Sequence, residues 1–208
     1  MRQKVDNLVL NNVRAYCSQL VCSDGYQIDE LVGGRVRPKS NSFEPINVMS
    51  DPLLFMSFAE WDLHNRGVLA FANRFGIFGR DENGDDLREW TRQQEYISNI
   101  IAIAKQRAPE LPPILEGLSD KDVSLSLTPQ GDKSRGEITL QIYNLSAAMR
   151  VQMASWIVSP PERIIKCGGC DRFVSVGPGT RHQITAESCG DRRCINRIGH
   201  QKRKLKGI

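Results

Sequence analysis

The stretch Cys189–Lys204 reads CGDRRCINRIGHQKRK and places two cysteines, five positions apart, directly before a block of arginines and lysines. On an α-helix, five positions turn through about 500°, so side chains at this spacing lie about 140° apart around the axis. Two interior helix positions at this spacing therefore cannot bind one metal ion. The thiols can meet if Cys189 lies in the preceding loop and Cys194 in the first helical turn. Asp191 suits the start of such a helix.

A second cysteine pair, Cys167-Gly-Gly-Cys170, supplies two more candidate ligands. Two residues between the cysteines let both sulfurs face one point, and the glycines permit the tight turn. Four thiolates complete the tetrahedral shell of Zn²⁺ and leave no place for water. The pattern thus predicts one structural zinc ion bound by Cys167, Cys170, Cys189 and Cys194. The alternatives are a redox CxxC motif, which usually stands in a βαβ context that this sequence lacks, or cysteines with no shared role.

The residues between the two pairs read as a hairpin. Arg172–Val176 and Arg181–Thr185 are predicted strands around a Gly-Pro-Gly turn. Knuckle, hairpin and helix N-terminus together describe a treble-clef-like zinc finger. Such a small segment has few apolar residues of its own, so loss of the metal is expected to unfold it.

Basic residues are concentrated at the C-terminal end of the chain. Residues 161–208 contain 11 Lys+Arg against 4 Asp+Glu, whereas residues 1–160 contain 17 against 20. A local surplus of this kind is a candidate footprint for phosphate backbones. A solvated basic tail would have the same composition.

A helix extended from Asp191 carries two stripes. One is a seam that we expect to face the zinc ion and the larger domain: Cys194, Ile198 and Leu205. The other is basic and lies about 100° away: Arg193, Arg197, His200 and Lys204. The residues predicted to bind nucleic acid are Arg192, Arg193, Asn196, Arg197, His200, Lys202, Arg203 and Lys204. Some basic residues near the cysteines have another predicted role, which is to neutralise the charge of a zinc–thiolate centre: Lys166, Arg192 and Arg193.

The rest of the chain is that of a globular protein rich in helices. Apolar residues at helical spacing predict helices over about 65–78, 86–107 and 145–158. Period-two alternation in Val123–Leu127 and Ile138–Ile142 predicts a β-hairpin with one buried face. Ser159-Pro-Pro161 ends the third helix and predicts a domain boundary. The predicted fold class is α+β, mainly α, with a helical N-terminal domain over 1–160 and the zinc finger over 161–208.

Three features have a weaker pattern. Val5–Val21 alternates weakly, and we expect a helix within it. Asp81–Asp86 lacks the full ligand pattern of a calcium loop and is predicted to be a solvated acidic loop. Cys17 and Cys22 are predicted to be buried free thiols, with a second metal site as the alternative.

The finger resembles that of the bacterial CGNR zinc-finger (ABATE-domain) proteins. The resemblance rests on Cys167-Gly-Gly-Cys170 with Phe173, on Cys189-x4-Cys194-Ile-Asn-Arg197, and on the preceding hairpin and helix, over about 120–204. The match departs from the family pattern because isoleucine stands where the eponymous Cys-Gly-Asn-Arg has glycine. The resemblance implies a transcription regulator whose finger binds nucleic acid.

The functional expectations are therefore as follows. We expect a cytoplasmic, non-enzymatic, zinc-dependent regulator that binds DNA, or else RNA, and that forms a homodimer through its N-terminal domain. The alternatives are a finger that serves protein–protein interaction and an HNH-like nuclease that uses His182, Asn196 and His200. The nuclease alternative is disfavoured because His182 has no neighbouring carboxylate in the sequence. The chain also contains no uninterrupted apolar run long enough to span a membrane.

Overall fold

The computed structural model describes residues 13–30, 34–79, 84–106, 114–116, 118–119, 121–129, 136–161, 163–176 and 187–205. The chain divides into two compact units. The first unit consists of residues 1–50, 69–86 and 116–148, and the second of 51–68, 87–115 and 149–208. The predicted finger therefore belongs to the second unit together with helical segments. Its separation from residues 1–160 as a domain of its own stays a prediction.

Nine strands and five α-helices are present in the described part of the chain. The strands are β1 Val13–Cys22, β2 Tyr26–Asp29, β3 Arg35–Pro38, β4 Phe43–Asn47, β5 Asp85–Asp86, β6 Val123–Pro129, β7 Gly136–Ile142, β8 Arg163–Lys166 and β9 Phe173–Val176. The helices are α1 Leu54–Ala59, α2 Asn65–Phe75, α3 Leu87–Lys105, α4 Leu145–Val158 and α5 Arg192–Leu205. The three helices predicted between residues 65 and 158 are confirmed as α2, α3 and α4.

The first unit contains a four-stranded sheet in the order β4-β1-β7-β6. The predicted hairpin is confirmed as β6 and β7, which pair antiparallel with Val123 opposite Ile142. Strand β1 runs parallel to β7 and antiparallel to β4. The helix expected within Val5–Val21 is therefore wrong over the described residues. Buried and exposed side chains alternate there with the two-residue period of a strand, since Gln19 and Val21 are buried and Leu20 is exposed.

A smaller sheet, in the order β2-β3-β5, corrects the prediction for the acidic loop. Part of that loop lies outside the described residues, but Asp85 is buried in β5 and not solvated. Its carboxylate accepts hydrogen bonds from the backbone N–H groups of Phe78 at 2.5 Å and Gly79 at 2.6 Å. This buried carboxylate is a structural acceptor for a tight chain reversal.

The second unit packs aromatic side chains between its helices. The rings of Phe58 in α1 and Trp90 in α3 lie 6.1 Å apart, and those of Phe55 and Trp156 lie 5.8 Å apart. The side-chain amide of Gln94 donates to the carbonyl oxygens at the end of α1. Because α1 is only six residues long, this packing and capping stabilise it more than its own hydrogen bonds do.

The finger residues form a small hairpin followed by a helix. Strands β8 and β9 pair antiparallel, with Lys166 opposite Phe173, so the Cys167–Cys170 segment forms the turn between them. The strand predicted over 172–176 is thus confirmed in β9, whereas the predicted partner over 181–185 lies outside the described residues. Strand β9 contacts α1 within the same unit. None of the described helices combines the length and the apolar composition that a membrane crossing requires.

Candidate metal centre

The first cysteine pair lies in a knuckle whose backbone is closed by hydrogen bonds. Asp171 N–H donates to Cys167 O at 2.9 Å, and Cys167 N–H donates to Arg172 O at 2.8 Å. Asp171 has φ +59°, a left-handed conformation that aspartate tolerates better than most residues. The Cys167 sulfur accepts backbone N–H groups from Gly169 at 3.4 Å and Cys189 at 3.3 Å.

The second pair occupies the loop and helix start that the five-residue spacing predicts. Helix α5 begins at Arg192, so Cys189 precedes the helix and Cys194 lies in its first turn. Asp191 caps the helix, since its carboxylate accepts the N–H of Arg193 at 2.7 Å. Burial raises the pKa of the Cys194 thiol, and the positive end of the helix dipole acts in the opposite direction.

The four thiols converge on one point. Their sulfur atoms all lie within 4.8 Å of one another, and those of Cys170 and Cys189 are 3.8 Å apart. Four sulfurs at about 2.3 Å from a tetrahedral zinc ion would be about 3.8 Å from each other. All four cysteines are free thiols. The cluster can therefore hold a metal ion, and its four sulfur donors are those that zinc accepts.

The four thiols differ in burial and in ease of ionisation. Cys167 and Cys194 are buried, whereas Cys170 and Cys189 are half-buried. Burial raises the pKa of Cys194 and also that of Cys189. Burial acts on Cys170 too, but hydrogen bonds from Arg172 outweigh it and lower the pKa of this thiol to about 7. Cys170 is therefore substantially ionised at neutral pH, in the form that binds metal.

Arg172 is the cation next to the thiols, and the sequence did not indicate it. Its guanidinium donates from Nε to the sulfur of Cys170 at 3.5 Å and from Nη2 to that of Cys189 at 3.8 Å. The hydrogen bond to Cys170 raises the pKa of Arg172, so the side chain stays charged. Lys166, predicted to neutralise the metal centre, instead pairs with Glu60 at 2.8 Å.

Gly169 brings the knuckle against α5. A Cβ at this position would lie 2.6 Å from both Cα and Cβ of Cys194, closer than atoms in proteins approach. At the neighbouring Gly168 the nearest atom is 3.5 Å away, in Ile198. The two glycines of the Cys-Gly-Gly-Cys motif therefore have unequal tolerance for a side chain.

We expect Gly169→Ala to weaken metal binding by about tenfold or more, because the added methyl group displaces Cys194 from the other three ligands. Gly168→Ala is the matched control and should bind metal like the parent protein. Competition with a chromophoric chelator measures both affinities. Equal affinities of the two variants would contradict the close approach of knuckle and helix.

The residues predicted to bind nucleic acid separate into two groups on α5. All eight are exposed. Six of them lie within about 120° of one another at 100° per residue, and the other two, Arg197 and Lys202, contact the finger. This set of six is called the basic face: Arg192, Arg193, Asn196, His200, Arg203 and Lys204. Its centre lies about 160° from that of the side carrying Cys194 and Ile198. The basic face therefore points away from the cysteine cluster.

Two predicted binding residues contact the finger itself. Arg197 donates from Nη1 to Gly169 O at 2.9 Å, which fastens α5 to the knuckle. Lys202 forms an ion pair with Glu187, the residue two positions before Cys189. Their charges are therefore engaged in the structure of the finger.

The predicted apolar seam of α5 is only partly correct. Ile198 lies against Gly168, as the seam requires. Leu205 does not dock, because 88% of its surface is exposed. Cys17 and Cys22 are buried free thiols in β1, as predicted, and are not among the four clustered cysteines. His182, named in the nuclease alternative, lies outside the described residues.

Comparisons with protein-family models, with curated proteins and with solved structures find no match for this chain. The functional conclusions therefore rest on the geometry of the site.

Proposed function

We propose that this protein binds one structural zinc ion through Cys167, Cys170, Cys189 and Cys194, in a treble-clef-like finger whose helix α5 binds DNA. The observation that carries the proposal is the arrangement of α5, with the cysteine cluster on one side and the basic face on the other. The metal fixes the helix start, and the opposite face is left exposed to a ligand. Regulation of transcription, as in the CGNR proteins that the finger resembles, is the corresponding biological proposal.

Zinc suits this site better than other metals for chemical reasons. Soft thiolate ligands in a closed tetrahedral set favour zinc or iron–sulfur chemistry over magnesium or calcium. Zinc has no redox chemistry of its own, so it can stabilise a helix start without exposing the thiols to oxidation by the metal. All four positions are taken by protein atoms, so the site supplies stability and not catalysis.

The basic face has the chemistry of a DNA-binding surface. Four of its six members are cations, and none of the four forms a described ion pair with an acidic residue. Counterion release from phosphates would therefore not be opposed by breaking protein ion pairs. The exposed amide of Asn196 lies among these cations, and an asparagine there has the donor and acceptor to read an adenine edge.

Gly199 supports close approach of this helix to a ligand. It lies in the middle of α5 on the flank of the basic face, and a Cβ placed there would meet nothing within 4 Å. A glycine in a helix interior costs about 1 kcal/mol relative to alanine, so the position lowers helix stability without a packing benefit. The absence of a side chain would let a groove wall approach the helix backbone beside Asn196.

We expect the double variant Arg192→Gln/Arg203→Gln to bind a mixed-sequence DNA duplex at least tenfold more weakly than the parent. The logarithm of the binding constant falls linearly with the logarithm of the salt concentration. The magnitude of this slope should be smaller by about 1.8 in the variant if each arginine neutralises one phosphate. The matched control is Arg66→Gln/Arg163→Gln, which removes the same net charge from the second unit but outside the basic face. Fluorescence anisotropy across a salt series measures both quantities.

Two results would contradict the DNA proposal. One is a parent protein, loaded with zinc, that binds neither duplex DNA nor RNA at low salt. The other is an equal loss of affinity in the two double variants, because it would show that only net charge matters. Binding of RNA in preference to DNA would keep the basic face but change the ligand.

A protein ligand is the second candidate, favoured by a groove on the other side of α5. The groove has a volume of about 550 Å³ and lies between β8 and α5, with apolar residues Ile164, Ile165, Ile198 and Leu205 in its lining. The exposed Leu205 would be covered by such a ligand. A protein that fails to bind nucleic acid but captures a partner, with capture lost in Leu205→Asp, would favour this function. Homodimer formation through residues 1–160 stays a prediction.

A further inference from the structure

Arg172 lies between the two half-buried thiols and a buried carboxylate. Its guanidinium reaches Cys170 and Cys189 through two different nitrogens, and its Nη1 lies 3.9 Å from Oδ2 of Asp51. About 30% of the Arg172 side chain is exposed, against 9% for that of Asp51. One planar group therefore joins two predicted metal ligands to an acidic residue outside the finger.

The fold directs Arg172 to this position. The left-handed turn at Asp171 reverses the chain after Cys170, and the carbonyl of Arg172 accepts the N–H of Cys167. Strand β9 then begins at Phe173. The knuckle thus fixes the backbone of Arg172 through this hydrogen bond. The side chain then contacts the sulfurs of Cys170 and Cys189.

The two thiols that Arg172 contacts are the more exposed of the four. Cys167 is buried and accepts two backbone N–H groups, and Cys194 is buried at a helix N-terminus. Cys170 and Cys189 are partly open to water. A metal ion with four thiolates carries a charge of −2, so a fixed cation beside the two open ligands lowers the electrostatic cost of assembling the site.

We propose that Arg172 is a positioning residue of the metal centre, which holds Cys170 and Cys189 in place and partly neutralises the metal–thiolate charge. The inference rests on the proposed metal function. Arginine can hold both thiols because its planar guanidinium has several donors at fixed spacing, which can reach two acceptors at once. Lysine has only a single point charge.

Asp51 connects this arrangement to the helices of the second unit. Its backbone carbonyl accepts the N–H of Leu54 at 3.1 Å, at the start of α1, and the side-chain amide of Gln152 in α4 at 2.9 Å. Its carboxylate faces the guanidinium from that fixed backbone. The orientation of Arg172, and with it the spacing of two ligands, is therefore set partly by the packing of α1 and α4.

Cobalt(II) binding by the full chain tests the proposal. Co²⁺ replaces zinc in tetrahedral sites, and its thiolate-to-metal charge-transfer and ligand-field bands report the ligand geometry directly. We expect Arg172→Gln to bind Co²⁺ about tenfold or more weakly than the parent protein and to shift these bands. Arg172→Lys should recover part of the affinity, since it keeps the charge, but not the parental band positions. Arg163→Gln, which removes an exposed cation from the same hairpin, should match the parent in both.

Each other outcome has a definite meaning. Parental affinity and bands in Arg172→Gln would overturn the role of Arg172 and leave the metal function intact. A parent protein without cobalt–thiolate bands would overturn the metal centre and this role with it. If circular dichroism shows that Arg172→Gln does not fold, Arg172→Lys decides the question: parental bands in it overturn the proposal, and shifted bands support it.

Discussion

Cys194→Ser is expected to reduce the metal content from one ion per chain to nearly none and to unfold residues 163–205. A serine hydroxyl is a hard, protonated donor that does not replace a thiolate on zinc. Structural zinc ions contribute about 10–16 kcal/mol to the folding of small fingers, far more than so small a segment can supply otherwise. Loss of one of four ligands removes a large part of that contribution.

The composition of the finger's interior explains why the loss should be so complete. Among the described residues of 163–205, the buried apolar side chains are Cys167, Val176 and Cys194. Two of these three are predicted metal ligands, so the metal and its sulfurs form most of the core. Without them, the hairpin of β8 and β9 and the start of α5 have little apolar surface to bury together.

Elemental analysis gives the metal content, and amide hydrogen exchange gives the protection of α5. Cys17→Ser is the matched control, because Cys17 is a buried free thiol in β1 of the first unit. It should keep one ion per chain and a protected α5. A Cys194→Ser protein that keeps its metal and the native protection of α5 would contradict the predicted ligand set.

Metal ligands were predictable from the sequence because the constraint is local. Two residues separate the cysteines of the knuckle, and the five-position spacing of the second pair allows one ion only if the helix begins between its two cysteines. The structure places that start at Arg192, directly after the cap Asp191. The hairpin of β6 and β7 was predictable for a similar reason, since its pairing and its alternation lie within 20 residues.

Contacts between distant parts of the chain were not predictable in this way. The parallel pairing of β1 with β7 joins Val13 to Ile138, and nothing in the alternation of residues 13–22 identifies that partner. A weakly alternating segment was therefore taken for a helix. Arg172 was missed because its role depends on the left-handed turn at Asp171 and on Asp51, which is far away in the sequence.

The roles of the basic residues around the cysteines could also not be predicted from the sequence alone. Sequence periodicity placed Arg197 in the predicted binding stripe, but this residue is bonded to the knuckle at Gly169 O. Arg192 and Arg193 were assigned a second role in neutralising the metal centre. The guanidinium that contacts the thiols belongs to Arg172, so both of those arginines are available to the basic face. This reassignment supports the proposal of DNA binding.

The helices of the second unit should be far more sensitive than the metal site to loss of Trp90. Trp90 is fully buried in α3, and its ring packs against Phe58 of α1. Trp90→Ala removes a large core side chain and should lower the free energy of unfolding by about 3–5 kcal/mol. Since small domains have only about 5–15 kcal/mol in total, the helical part should unfold at a much lower urea concentration. Trp61→Ala, at a half-buried tryptophan of the same unit, should have a smaller effect.

Metal binding should largely survive Trp90→Ala, because all four predicted ligands lie within residues 167–194 and fingers of this size fold around their metal. We expect Trp90→Ala to bind one metal ion per chain. Its loss of metal affinity should not exceed the loss expected for Arg172→Gln. The physical reason is that Asp51 acts on two of the ligands, Cys170 and Cys189, through Arg172. Urea titrations followed by circular dichroism, with metal release followed by a chelator, should therefore give two separate transitions. A single transition, in which helices and metal are lost together, would show that the finger depends on α1 and α3 for its folding and not on its metal alone.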